Sequence, residues 1–247
     1  METADQKYNV AGHSRDRRLA PPLWHSRYRH LIELKKNIIK IINEDIAVGE
    51  KKIVADMGCG EMPYSSILSP HVMELYAVDL PGNPKATHFV DIDTNRTNVP
   101  EASVDIVWSV MVLEHVSEPE KYLAECKRIL KPGGKLILCT HGHWMFHPDP
   151  IDYWRWTSQG LKVEVERSGF AITKFWGMMG LLSMSIQLVQ DAFLLHLPLT
   201  RYWGKPYAFI MQRFVSLAAW FENKSKSTRE YKNKDACVFF VVAEKPE

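Results

Sequence analysis

Between residues 52 and 176 short apolar runs alternate with helical stretches, and this alternation restricts the fold more than any other feature of the chain. The runs are KIVAD (52–56), ELYAVD (74–79), THFVD (87–91), VDIVWSV (104–110), KLILCT (135–140) and FAITKFW (170–176), each of strand length. EKYLAECKRIL (120–130) is the clearest helix among them. Pro119 suits its first turn, and Lys131, Pro132, Gly133 and Gly134 stop it. Upstream, LIELKKNIIKIINEDI (31–46) carries Leu31, Leu34, Ile38, Ile41 or Ile42, and Ile46 at helical spacing. Strands alternating with helices predict an α/β fold, a parallel sheet covered on both faces. A last apolar run, ACVFFVVAE (236–244), predicts a closing strand.

Length and composition narrow the class. A chain of 247 residues is enough for one large domain with a sizeable core. Its net charge of +2 argues against a general nucleic-acid binder, which needs concentrated Lys and Arg. Cys59, Cys126, Cys139 and Cys237 are far apart and form no CxxC pair, so reduced thiols and a cytoplasmic setting are expected. Residues 1–30 read as an N-terminal tail or lid; the first 18 are polar, without the apolar stretch of a signal peptide. No apolar stretch reaches the roughly 20 residues of a membrane span.

The first run ends in VADMGCGEMPY (54–64), an acid followed by a glycine-rich turn. In a doubly wound sheet this loop lies at the carboxyl ends of the strands, where ligands bind. A dinucleotide fingerprint needs a third glycine, but Met62 and Pro63 follow Gly58, Cys59 and Gly60; a P-loop GK[ST] is absent. Asp56, with Glu61 near, would oppose a pyrophosphate, and would suit a cofactor carrying an ammonium and a sulfonium, as S-adenosylmethionine does. Asp79, 19 residues after Gly60, is placed to take both ribose hydroxyls, and Asp91 to meet the adenine amino group. One acid at a strand end is a cap or a solvated terminus. Three at successive strand ends point to a ligand.

VADMGCG, YAVDL, FVDID, VDIVWSVMVLEHV and RILKPGGKLIL occur in the order and spacing of the class I S-adenosylmethionine-dependent methyltransferases, which this chain resembles over residues 50–176 and the final strand. The resemblance implies a Rossmann-like, seven-stranded, mostly parallel sheet whose last strand is antiparallel. It implies S-adenosylmethionine as cofactor, held by Asp56, Gly58, Cys59, Gly60, Asp79, Leu80, Asp91 and Ile92. GCGEMPY resembles a subgroup with Pro-Tyr at this point, common among methyltransferases of saccharide and secondary-metabolite pathways.

THGHWMFHPDPIDYWRWT (140–157) follows the fifth run and is the densest polar and aromatic cluster in the chain. Part of it resembles the HPxDYWRxT loop of the same subgroup, which makes His147, Asp152, Tyr153 and Arg155 the acceptor-binding candidates. A hydroxyl acceptor needs a base, and His147 and His115 qualify by location. His141 and His143 alternate along an extended segment, so one of them is expected to face the pocket. His141, His143, His147 and Asp149 have ligand-like chemistry, but methyl transfer requires no metal and none is expected. The Asn/Asp-Pro-Pro-Tyr/Phe turn of DNA amino-methylating enzymes is missing after the fourth strand, which disfavours a nucleic-acid acceptor. The expected activity is methylation of an oxygen on a small molecule or saccharide. The alternatives are N- or C-methylation, or a non-catalytic module that binds the cofactor.

The domain is expected over residues 31–247 with an insertion at about 177–235, mainly two helices over the acceptor side of the sheet. GLLSMSIQLVQDAFLLHLPL (180–199) and YAFIMQRFVSLAAWF (207–221) are apolar around much of a helix and are punctuated by Pro198 and Pro206. Long insertions usually carry function. Burial against a second copy of the chain is the expected role, and contact with a membrane surface through Lys224, Lys226, Lys232 and Lys234 is the alternative.

Overall fold

Seven strands form one mixed sheet in the order β3-β2-β1-β4-β5-β7-β6. They are β1 (Lys52–Met57), β2 (Val72–Asp79), β3 (His88–Phe89), β4 (Val104–Val110), β5 (Leu130–His141), β6 (Ala171–Gly180) and β7 (Ala236–Glu244). Strands β1 to β5 pair in parallel, and β7 runs antiparallel between β5 and β6. The computed structural model describes residues 18–148, 151–196 and 200–247. The expected class, a mostly parallel sheet with an antiparallel last strand, is the one observed.

Alternation along the strands builds two cores. Val54, Ile106, Trp108, Ile137 and Phe240 turn to one face, where α1 (Tyr28–Ile41) supplies Leu34, Ile38 and Ile41. Ala55, Val107, Leu136, Leu138 and Phe239 turn to the other, against α3 (Pro119–Ile129) and α4 (Ser158–Arg167). A short helix, α2 (Ser65–Leu68), precedes β2. Because both faces are covered, ACVFFVVAE reads as a continuous apolar run. The end of α1 widens into a π turn over Ile42–Ile46, which lets consecutive Ile41 and Ile42 both reach the core.

Three sequence boundaries shift. α1 starts at Tyr28, and His30 is buried, so packing does not change at residue 30; residues 1–17 of the expected tail lie outside the described residues. The third strand contracts from 87–91 to His88–Phe89, which leaves Asp91 in the following turn. β6 runs on to Gly180, so the helices of the insertion begin at Leu181: α5 (Leu181–His196), α6 (Thr200–Glu222) and α7 (Lys226–Lys232). Pro206 lies inside α6, in its second turn, and does not mark its start; Pro198 is outside the described residues.

α5 and α6 form an antiparallel pair. The Glu222 carboxylate at the end of α6 accepts the backbone N–H groups of Gly180, Leu182 and Ser183 at the start of α5, at 2.9, 2.8 and 3.1 Å. An acid here satisfies amides that the helix cannot pair itself and meets the positive end of its dipole. Further along, Gln212 of α6 donates to Gln187 and Gln190 of α5, at 2.9 and 2.8 Å. All three glutamines donate to the Ser26 carbonyl, which ties the segment before α1 to the hairpin.

Candidate active site

The parallel strands end on one edge of the sheet, so the loops after β1, β2, β4 and β5 meet there. After Met57 the chain turns through three left-handed residues, Gly58 (φ 73°), Gly60 (φ 49°) and Met62 (φ 51°). Met62 therefore adopts a backbone conformation that glycine takes without strain, at a steric cost of about 1–2 kcal/mol. A Cβ at Gly58 would lie 2.7 Å from Val112 Cγ2, whereas one at Gly60 would meet nothing within 4 Å. The first glycine is needed for close packing and the second leaves open space beside the strand end.

Two acids meet at this loop. Asp79 Oδ2 accepts Gly60 N–H at 2.8 Å and Asn83 Nδ2–H at 2.6 Å, while Oδ1 accepts Leu80 N–H at 2.7 Å. Asp56 is half-buried on β1, beside Ala77 of β2 in register. Burial, and then the charge of Asp79, push the Asp56 carboxyl up to about 7. Among the described residues no lysine or arginine pairs with either acid; Glu61 is held by Lys85 at 2.5 Å. Cys59 is buried with its thiol 3.8 Å from Asp79 Oδ2, and Leu80 is half-buried. Asp91 and Ile92 are exposed beyond β3. Asp91 accepts the backbone N–H groups of Asp93 and Thr94, both at 3.0 Å, and these Thr94 bonds hold its carboxyl below the usual range. Asp91 borders an open depression of about 390 Å³ shared with Pro81, Phe89 and Arg96, which the glycine loop does not line.

The other half of the edge is a chain of rings. His115 packs edge-on to His147 with centroids 5.7 Å apart, and His147 edge-on to His141 at 6.2 Å. His141 stacks on Trp144 at 5.1 Å, His30 lies 4.6 Å from Trp144, and Arg27 sits over the same indole. Burial, followed by the Arg27 charge, lowers His30 to about 3; burial also holds His141 well below its usual value. Burial raises the Glu114 carboxyl, whose Oε2 accepts the Thr140 hydroxyl at 2.9 Å. Glu114 Oε1 lies 3.7 Å from His141 Nε2, and neither Oε1 nor His141 Nδ1 has a hydrogen-bond partner among the described residues. His115 is only half-buried, and its Nδ1 is 2.6 Å from the Ile151 carbonyl. A carbonyl can only accept, so Nδ1 carries a proton, and in the neutral ring Nε2 presents its lone pair.

The loop over this edge is tied down by its own polar groups. Arg155 donates to both Asp152 oxygens and to the Trp144 and Met145 carbonyls. Asp152 also accepts His147 N–H at 2.7 Å, and the Glu114 carbonyl accepts the Tyr153 and Trp154 amides. The structure thus brings His115, His147, Asp152, Tyr153 and Arg155 together, with Asp152 and Arg155 directed at the loop itself. The Tyr153 side chain is half exposed. Of the alternating pair, His141 faces inward, and His143 points out to Asp235. Asp149 is outside the described residues, among which no group of three or more His, Cys, Asp or Glu is arranged to hold a metal ion. Sequence reasoning missed Glu114, His30 and Arg27; the aromatic and basic string WHSRYRH (24–30) was their available signal.

Residues 55–138 match the family model described as a methyltransferase domain. That stretch runs from β1 to β5 of the sheet. Over 128 residues the chain is 27% identical to a ubiquinone biosynthesis O-methyltransferase of Hahella chejuensis, covering 47% of this chain and 53% of that protein. The chain spans about half the length of the curated relatives it matches. Phosphoethanolamine N-methyltransferase 2 of Haemonchus contortus, solved with S-adenosyl-L-methionine, shares the fold with a TM-score of 0.52 and 17% identity, over 85% of this chain and 53% of that one. So does the [4+2]-cyclase SpnF, with a TM-score of 0.50 and 17% identity, over 86% and 81% of the two chains. A cyclase and an N-methyltransferase on one fold leave the reaction to the site residues.

Proposed function

We propose that this chain transfers the methyl group of S-adenosylmethionine to a hydroxyl oxygen of a small molecule or saccharide. The observation that carries the cofactor reading is the pair Asp56 and Asp79, two carboxylates at adjacent strand ends with no lysine or arginine paired to them among the described residues. A ligand with fixed positive charge relieves their repulsion, and a pyrophosphate would add to it. When bound, the cofactor supplies an electrophilic methyl on a sulfonium. Gly60 leaves room beside the loop for it, Asp79 offers the ribose hydroxyls a carboxylate, and Leu80, Ile92 and Asp91 border the adenine side.

The acceptor reading rests on His115. Its Nε2 lone pair and its partial exposure suit it to take a hydroxyl proton as the oxygen attacks; the His147 ring lies beside it, and Tyr153, half exposed on the same loop, is the further candidate for acceptor contact. The relative's name, an O-methyltransferase, favours oxygen over nitrogen or carbon. A module that only bound the cofactor would need neither the ring array nor the tied loop.

Calorimetry should show binding of S-adenosylhomocysteine and not of NAD, with Asp79→Ala weakening it at least tenfold. Radiolabelled methyl transfer to a panel of phenols and sugars then tests the acceptor class. Binding of NAD would overturn the cofactor assignment. Methyl transfer to amines alone would overturn the oxygen assignment.

A further inference from the structure

The insertion helices bury a polar stripe and leave large apolar side chains exposed. α5 buries Ser183, Gln187, Gln190 and Asp191 together with Met184, and exposes Leu181, Leu188, Val189, Phe193 and Leu195. α6 buries Gln212 and Glu222 beside the small apolar Ala208, Val215, Ala218 and Ala219, and exposes the larger Ile210, Phe214, Leu217, Trp220 and Phe221. On α6 the exposed apolar residues recur at three- and four-residue spacing, and on α5 Leu181, Leu188 and Leu195 recur every seventh residue with Val189 and Phe193 four apart, so each helix carries a stripe along the hairpin. The polar interior has a structural reason, since the glutamines converge on the Ser26 carbonyl. The apolar exterior has none among the described residues. Soluble monomers rarely expose such a surface unless it binds something.

From these observations we infer that the α5–α6 hairpin docks this protein onto an anionic lipid bilayer. Charge selects the occupant. Residues 200–234 hold eight Lys and Arg against Glu222 and Glu230, a net charge of +6 in a chain whose total is +2. Lys205 lies over Trp24, Arg213 over Phe209 and Lys224 over Trp220, at 4.6, 4.9 and 4.9 Å, so basic heads sit beside exposed aromatic rings. That pairing suits an interface where rings enter the acyl boundary and cations meet headgroups. A second copy, the occupant suggested by the apolar sequence alone, would bring this excess of cations from two chains together. No helix among the described residues is long and apolar enough to cross a membrane. The 16 residues of α5 extend about 24 Å, short of the roughly 30 Å hydrocarbon core, so the hairpin lies on the surface.

The test is co-sedimentation of the full chain with vesicles of phosphatidylcholine alone or with three-tenths phosphatidylglycerol. Partition should be at least tenfold greater on the anionic vesicles and should fall between 0.1 and 0.5 M salt. Phe214→Glu with Leu217→Glu should abolish it, and Lys224→Glu and Lys226→Glu should each weaken it at least fivefold. In the unaltered protein, brominated lipid should quench tryptophan fluorescence, a readout independent of any variant's folding. Failure to bind anionic vesicles at 0.1 M salt would overturn the inference. So would a dimer in analytical ultracentrifugation that Phe214→Glu dissolves.

Discussion

Arg155 grips Asp152 with two parallel hydrogen bonds, of 2.6 Å to Oδ1 and 2.5 Å to Oδ2, and the same carboxylate receives the His147 amide. Both side chains come from the motif that suggested acceptor contacts, yet their polar atoms fix the loop that carries His147. Removing the carboxylate leaves a largely buried guanidinium without its partner. Asp152→Ala should therefore lower stability by about 2–3 kcal/mol, seen as a melting point roughly 5–10 °C lower. Turnover should fall while S-adenosylhomocysteine affinity stays within about twofold.

Acid should release the same loop. Burial would raise the Asp152 carboxyl, but the Arg155 bonds and the His147 amide outweigh it and hold the group below its ordinary 3.8. A depressed carboxyl contributes stability that is present above the unfolded value and lost as pH falls through the folded one. Fluorescence of Trp154 and Trp156, next to the grip, should report loop release below about pH 4 in the unaltered protein. The release should be absent in Asp152→Asn, whose loop is already loosened at neutral pH.

Met62 offers a test in the opposite direction. Its φ of 51° places a side chain where glycine is sterically preferred. Met62→Gly removes that strain but adds backbone freedom to the unfolded chain and loses the packing of a half-buried side chain. A net gain of up to about 1 kcal/mol is expected, with calorimetric melting raised by up to roughly 4 °C and cofactor affinity retained. A melting point lowered by several degrees would show that Met62 packing outweighs the strain.

How far the sequence could lead follows from these residues. Strands from 52 to 244 were legible because alternate side chains feed two separate cores, a pattern with period two. The loop at 58–62 was legible because left-handed positions favour glycine. The buried histidines were not. His30 and His141 look like surface residues by type, and only contact with Trp144 and a neutral ring make them interior. The insertion was legible as apolar helices but not in its orientation, since burying Gln187, Gln190 and Gln212 depends on one carbonyl, Ser26, more than 160 residues away in sequence.

Asp56 should couple cofactor binding to protons. With a folded value near 7 against 3.8 unfolded, the ligand-free protein holds an extra proton between those limits. That contribution to stability is therefore full below 3.8 and is lost as pH rises from there through 7, a slope that Asp56→Asn should remove. A cationic ligand beside Asp56 favours its ionised form, so binding at pH 7 should expel about half a proton. Calorimetry in phosphate and in Tris, which differ in ionisation enthalpy, measures this directly. Equal apparent enthalpies with S-adenosylmethionine would place Asp56 away from the cation.

The last prediction separates the histidines. His115 has its tautomer fixed by the Ile151 carbonyl and stays accessible, whereas His141 is enclosed with Glu114 3.7 Å away. Loss of a positioned proton acceptor costs about 10²–10⁴ in rate. His115→Asn keeps a donor for the carbonyl but removes the Nε2 lone pair, so kcat should fall by that factor while KM and S-adenosylhomocysteine affinity change little. His141→Gln should instead lower stability, because it disturbs the stack with Trp144, and should spare kcat in the protein that remains folded. If His115→Asn keeps more than a tenth of its activity and folded His141→Gln is inactive, the proton acceptor is at the end of β5, with Glu114 behind it to stabilise the imidazolium.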